Sequence, residues 1–421
     1  MRPPDRDDPT SPKVAPAQSW VVLVAIFWFT SMVEGLGVSQ VFAFLPAYLR
    51  EMGVAEQDRL GFVGLFGSLI FVVGAPFVPL WGVWADKYSR KAVIVRSALV
   101  EAVVFAGVAL SREPWQLALS VLLIGLQLGN PGVMLAGIRD VTPRARLGTV
   151  IAIVGASGPI GFAVGPALGG FLIDALGWSI SGVFWLSAVL SIVTALVITF
   201  GSREVRPEVV PVGRVVDLAF GAVRGVLVDK AVRRVFVIYG VAFLANQMSR
   251  PYQPVIVEEL VGPGPGLASA IGFVAGTAAL IGAVASPLGG VLGDRLGFRP
   301  VLVVSLLGGG VALLAAPVAP GVETLALSVV LFTAFNGTVG AMVFGLLATT
   351  VPPERRSATL NLVYLPLYAA GVVGPAAGAA VASVAGAAGP FWLGAGVFLA
   401  GAIVVWLRVR GPSGEASARP A

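Results

Sequence analysis

Gly82-Val-Trp-Ala-Asp86-Lys87-Tyr-Ser-Arg90-Lys91 returns 208 residues later as Gly290-Val-Leu-Gly-Asp294-Arg295-Leu-Gly-Phe-Arg299. Each copy follows a long apolar run. The flanking sequence keeps almost the same offset: Pro46 matches Pro254 at 208, and Gly165-Pro166-Ala-Leu-Gly169 matches Gly374-Pro375-Ala-Ala-Gly378 at 209. Pro143-Arg-Ala-Arg146 resembles Pro353-Glu-Arg-Arg356 at 210. Matches at a nearly constant offset mean a duplicated unit. Two like halves in one membrane are the ground plan of a transporter that rocks around a site near the bilayer midplane.

Composition sets the solvent. The chain has 421 residues, of which 57% are hydrophobic and 12% charged, with a mean hydropathy of +0.91. Soluble globular proteins carry roughly 25% charged residues, so this chain belongs in a bilayer. Its 54 Gly and 30 Pro show no three-residue period, which excludes collagen. Cys and His are absent. Thiol chemistry, disulfides, zinc sites, His-based triads and His proton switches are therefore excluded, leaving carboxylates, bases and aromatics. No cofactor or metal is expected.

A membrane helix needs about 20 mostly apolar residues. Twelve spans are expected near 20–49, 60–82, 92–111, 115–138, 147–173, 179–200, 235–257, 268–292, 300–318, 322–348, 357–385 and 389–407. Together they predict an all-α membrane protein with twelve transmembrane helices in two pseudo-symmetric six-helix bundles, 19–200 and 235–408. Residues 1–18 and 409–421 are polar and read as cytosolic tails; the first lacks the basic-then-apolar order of a signal peptide. The stretch 201–234 reads as a cytosolic linker with an amphipathic helix over Gly213–Lys230, carrying Arg214, Asp217 and Arg224 on one face. With the N-terminus inside, 24 of the 28 bases fall in cytosolic segments and three, Arg50, Arg59 and Arg112, outside. That bias fits the positive-inside rule with both termini cytoplasmic in a plasma (inner) membrane. It also explains the basic pI without nucleic acid.

The Gly82–Lys91 run resembles the loop signature between helices 2 and 3 of the major facilitator superfamily, with Ser89 in place of its second Gly. The resemblance covers essentially the whole chain and points to the twelve-span drug:proton antiporter branch. It implies a conformational latch: Asp86 holding helix 2 to helix 11 in the outward-facing state, and Arg90 pairing with Asp140 at the end of helix 4. Lys87 and Lys91 complete the motif. Gly290, Asp294, Arg295 and Arg299 form its weaker second-half counterpart, in which Thr350 replaces the acid. Independently of the resemblance, Gly82 suits a close helix approach, and a carboxylate at Asp86 can face a helix N-terminus. In span 5, Gly161-x-x-x-Gly165-Pro166-x-x-Gly169-Gly170 is a small-residue stripe that lets another helix approach closely, and Pro166 bends the helix. Its Gly-Pro-x-x-Gly-Gly order resembles the antiporter motif of exporters, which importers of the superfamily usually lack.

Three ionisable residues lie well inside spans: Glu34, Glu101 and Arg250. Each is costly there, so a functional role is the default reading. A carboxyl held away from water can be neutral in one access state and ionised in another, the minimum for carrying a proton without His. Val33-Glu34-Gly-Leu-Gly37 … Phe44-Leu45-Pro46 resembles helix 1 of tetracycline and multidrug antiporters, where an acid precedes the Leu-Pro proline by twelve residues. Two departures stand out: Ala43 occupies the place of a second Pro, and span 4 lacks the Arg usual in this branch, leaving Gln127. Arg250 would either neutralise an acid, meet an anionic substrate or snorkel outward. Substrate-cavity candidates, on the family's pattern of cavity helices, are Gln40, Phe42, Gln127, Asn130, Asn246, Gln247, Tyr252, Phe335, Asn336, Asn361 and Tyr364. Aromatic walls with a few amides suit a bulky apolar molecule. The expected function is proton-coupled efflux of a hydrophobic drug-like compound or metabolite by alternating access. The alternative is an uptake facilitator or symporter for a small metabolite; a non-transport membrane protein is remote. Expected partners are membrane lipid, a small-molecule substrate and protons, and a monomer is expected.

Overall fold

The computed structural model describes residues 19–207, 209–228, 230–350 and 365–408, and no strand occurs among them. The helices are α1 (Trp20–Glu51), α2 (Glu56–Lys87), α3 (Arg90–Leu110), α4 (Pro114–Ile124), α5 (Asn130–Val141), α6 (Leu147–Asp174), α7 (Ile180–Gly201), α8 (Val215–Val228), α9 (Lys230–Ser249), α10 (Gln253–Val261), α11 (Leu267–Leu296), α12 (Phe298–Ala315), α13 (Val322–Thr350), α14 (Leu365–Ala385) and α15 (Gly389–Arg408). Eleven segments among the described residues are long and apolar enough to cross a membrane. The span expected over 235–257 is helical but not among the eleven. Its helix α9 starts earlier, with Lys230, Arg233 and Arg234 in its first turns and Asn246 and Gln247 towards its end, and a 3-10 turn at Arg250–Tyr252 divides the span into α9 and α10.

Span 4 departs from the expected single helix. It breaks into α4, a 3-10 turn at Gly125–Gln127, and α5. Gly129 adopts φ +96°, a left-handed conformation open to Gly at little cost, and Pro131 opens α5. The break leaves the Gln127 carbonyl free to accept from Ser97 Oγ at 3.1 Å. It also lets α2 and α4 touch backbone to backbone: a Cβ on Gly125 would sit 2.5 Å from the Gly74 nitrogen.

Packing separates the N-terminal helices, where α1 lies on α6 and α3 on α7, from the C-terminal ones, where α13 lies on α11 and α12, and α15 on α9 and α12. Two seams join the sets, α6 with α11 and α2 with α14. The main apolar core runs through both sets, with Phe44, Phe66, Tyr252 and Phe391 deeply buried in it. A second, smaller core around Phe27, Ile94, Ile138 and Ile198 is confined to the N-terminal helices, at the end where α2 stops at Lys87. The shared core therefore favours the opposite end, where α1 stops beside Arg50. The linker helix, expected over Gly213–Lys230, spans Val215–Val228 and packs on α2.

Candidate functional site

The two seams close at the Arg50 end because small residues let backbones meet. A Cβ on Gly170 would fall 2.5 Å from the Ala268 carbonyl oxygen, and one on Gly272 2.5 Å from that of Pro166. On the adjoining face of α6, Gly161 and Gly165 press on the α1 backbone at Met32 and Leu36, and Gly169 on Phe44. The Gly-Pro-x-x-Gly-Gly stripe thus holds α6 against α1 and against α11 at once. In α2, Gly64 and Gly67 meet Pro375 of α14, and Ser68 Oγ donates to the Val372 carbonyl at 2.8 Å.

Polar groups complete this seal. Glu258 at the end of α10 receives Arg50 of α1 and Arg59 of α2, the latter at 2.9 Å, and the Arg59 and Glu258 side chains are buried. Tyr252 Oη donates to the Leu60 carbonyl at 3.1 Å, and the Ser269 amide donates to Asp174 at 2.6 Å. The sequence reading missed Arg59, Glu258 and Asp174. The repeat itself held a signal: Arg50 and Glu258 are 208 residues apart, the same offset as the duplicated loops, so they sit at equivalent positions of the two halves.

Towards the Lys87 end the seams part around a cavity of about 770 Å³, lined by α6 from Ala152 to Pro166 and α11 from Ile271 to Pro287. Of the sequence candidates, Phe42, Asn246, Arg250 and Asn336 line it. Others lie elsewhere. Gln40 is fully buried, donating to the Gly165 carbonyl at 3.2 Å and accepting from Ser187, so it ties α1 to α6 and α7. Gln247 packs on Gly374 of α14, Tyr252 belongs to the seal, and Phe335 lies on Gly308 of α12. Gln127 and Asn130 belong to the span-4 break. Asn361 and Tyr364 lie outside the described residues.

Arg250 stands in the cavity between two aromatic faces, its guanidinium carbon 4.4 Å from the Phe42 ring centre and 4.7 Å from that of Phe162. Glu34 does not line the cavity. It accepts from Asn130 Nδ2 at 3.2 Å, and Arg96 of α3 is close enough to act on it electrostatically. Arg96 is stacked 3.7 Å from the Trp81 ring centre and donates to Ser97 Oγ at 2.8 Å. The 24 bases expected in cytosolic segments include Arg96; it lies instead within α3, and its side chain joins the cluster of Glu34, Trp81 and Asn130. Its position inside the expected 92–111 span was the available clue. Span 4 has no Arg, but α3 brings one to the same acid. Glu101 is buried between α3 and α7, accepting from Ser191 Oγ at 3.3 Å, away from the cavity.

In the loop motif Arg90 grips both Asp86 at 2.8 Å and Asp140 at 2.7 Å, and Glu204 accepts from the Arg90 amide at 2.9 Å. Lys91 donates to the Thr199 and Ser202 carbonyls, both at 2.7 Å, at the end of α7. Its repeat partner Arg299 donates to the Trp406 carbonyl near the end of α15, so one clasp survives in both halves. Asp294 and Arg295 are exposed, and neither Gly82 nor Gly290 meets a described neighbour where a Cβ would stand. Lys87 reaches the Gly213 carbonyl before α8. The start of the eleventh expected span, Asp86's partner in the expected latch, lies outside the described residues.

Known proteins agree with this architecture. Multidrug resistance protein MdtG of Klebsiella pneumoniae (strain 342) is 29% identical over 405 residues, 95% of this chain and 96% of that protein. The nucleoside transporter NupG superposes with a TM-score of 0.73 at 15% identity, over 91% of this chain and 99% of that one. A bacterial homologue of the human lysosomal transporter Spinster, inward-facing and unoccupied, gives 0.70 at 14% identity, over 93% and 96%. The two structural likenesses speak to the fold alone. The profile of the Major Facilitator Superfamily matches residues 27–252 and 235–421. Helices, internal repeat and profile agree along the chain, which belongs to the Major Facilitator Superfamily and is a membrane transporter.

Proposed function

We propose that this transporter exports lipophilic, drug-like compounds across the inner membrane in exchange for protons, as a monomer with both termini in the cytosol. Residues 19–200 and 235–408 are the two rocking units, joined by 201–234. The charge bias of the loops supports a cytosolic Lys87 end, and on that reading the structure described is open inwards. The observation that carries this reading is the separation of two sites across α1. A sealed, glycine-packed seam overlies a largely apolar cavity on one side, and Glu34 sits with Asn130, Arg96 and Trp81 on the other. The multidrug relative, matched over nearly its whole length, supports efflux of organic compounds.

In mechanism, a substrate enters the cavity from the cytosol and the Lys87 end closes over it. Glu34 exchanges its proton as water access to its cluster changes sides. Arg96 supplies the opposite charge that holds the ionised form, a positioning role. Adding a panel of lipophilic drugs to energised inverted vesicles should release protons, followed with a pH-gradient dye, and Glu34→Gln should abolish the signal. Normal transport with an unchanged proton signal in Glu34→Gln contradicts the mechanism. Accumulation rather than depletion of the drug in intact cells contradicts export.

A further inference from the structure

We infer that the cavity is built for amphiphilic organic anions, with Arg250 as the residue that receives the negative group. The inference deepens the transport reading and rests on it for the cavity being the substrate site. Among the described lining residues Arg250 is the one charged side chain; the rest are apolar residues, glycines, hydroxyls and amides. Arg250 forms no salt bridge with any described acid. Glu34 and Glu101, the acids that could have neutralised it, are engaged elsewhere, with Asn130 and Ser191.

The setting is specific to a guanidinium. Phe42 and Phe162 present ring faces to its carbon at 4.4 and 4.7 Å. They hold the side chain in place and stabilise its charge, while leaving its N–H donors without a described carboxylate. Arg stays protonated in proteins, and its planar fork matches carboxylate, sulfonate or phosphate oxygens two at a time. A lone cation among largely apolar walls is costly, and an incoming anion relieves that cost. An incoming cation would meet repulsion with no acid among the described lining residues to offset it, so the same residue selects against cations. The apolar flank formed by Pro159, Val274 and Ala278 takes the body of the molecule. Asn246 and Asn336 add amides to the wall for a polar group on it.

The test uses the full chain in nanodiscs of zwitterionic lipid and equilibrium dialysis against empty nanodiscs. Anilinonaphthalene sulfonate and phenylnaphthylamine differ by one sulfonate; tetraphenylphosphonium is the cation. The wild type should bind the sulfonate saturably and at least about tenfold tighter than the other two. Arg250→Gln should lose about tenfold for the sulfonate and change the neutral probe less than twofold, with Arg250→Lys intermediate. Ala279→Asp, which places an acid on the cavity wall and keeps Arg250, should erase the preference even if Arg250→Gln fails to fold. No saturable binding of the sulfonate, an unchanged sulfonate affinity in either charge-changing variant, or tighter binding of the cation overturns the inference. Binding is indifferent to direction and to protons, so it separates from the efflux reading: sulfonate selectivity without depletion in cells leaves the substrate class standing and removes export.

Discussion

The same four helices behave differently at their two ends. At the Arg50 end, α6 meets α11 and α2 meets α14 backbone to backbone, with Gly170, Gly272, Gly64 and Gly67 at the contacts and Glu258 bridging Arg50 and Arg59. Towards the Lys87 end, Gly148, Gly155, Gly82 and Gly290 have no atom of a described residue within 4 Å of where a Cβ would stand. Lipid gives apolar surfaces no reason to associate, so membrane helices close through tight packing and hydrogen bonds. Small residues used at one end and idle at the other are the mark of two closing surfaces employed in turn. The charged groups follow the same division. The bridge at the Arg50 end crosses between the two sets of helices, whereas the described contacts of Arg90, Lys91 and Arg299 stay within one set or its linker.

Predictions follow that contrast. The chain has no cysteine, so engineered pairs report each end without background. Gly170→Leu should have the largest effect, because the Ala268 carbonyl would have to retreat. The closed fraction at the Arg50 end should fall by about a hundredfold, read as lost cross-linking there. Glu258→Gln removes the acceptor of two arginines. Breaking a buried pair costs about 3–5 kcal/mol; with Arg50 a third exposed, about 2 kcal/mol is expected, a shift of roughly thirtyfold in the same cross-link. Exchanging Glu258 and Arg59 should recover part of it. Gly155→Leu is the mirror of the first: it should leave melting of the purified protein unchanged but cut transport about tenfold, by blocking closure at the Lys87 end. A cross-link loss at the Arg50 end in Gly155→Leu would break the comparison. Lys91→Met and Arg299→Met loosen clasps at the membrane surface and should each cost under about 1 kcal/mol, seen as a small fall in melting temperature.

Much of this was legible in the sequence. The repeat, the span pattern and the loop signature lead to the fold, because hydrophobic period and charge bias are local properties that the bilayer enforces. The Gly-Pro-x-x-Gly-Gly stripe was legible as a packing surface; that it serves two partners, α1 and α11, depended on tertiary placement. Gln40 reads as a cavity residue from sequence because polar residues in spans attract functional readings. Burial against Gly165 and Ser187 turned it into a structural tie. The span-4 break was signalled by Gly129-Asn130-Pro131 but masked by the apolar run around it. Arg96 was hidden by its nearness to the loop, since loop counts cannot tell a base pointing to water from one turned inward over Trp81.

Exchange between the two closing surfaces is best measured with spin-label distances on cysteine pairs at both ends. Asp58→Cys with Val261→Cys reports the Arg50 end, and Tyr88→Cys with Leu296→Cys the Lys87 end; all four positions are exposed. Adding a transported compound together with a pH step should lengthen the first distance and shorten the second in the same population. If the two distances change independently, or neither moves while transport proceeds, alternating access between these two surfaces is contradicted.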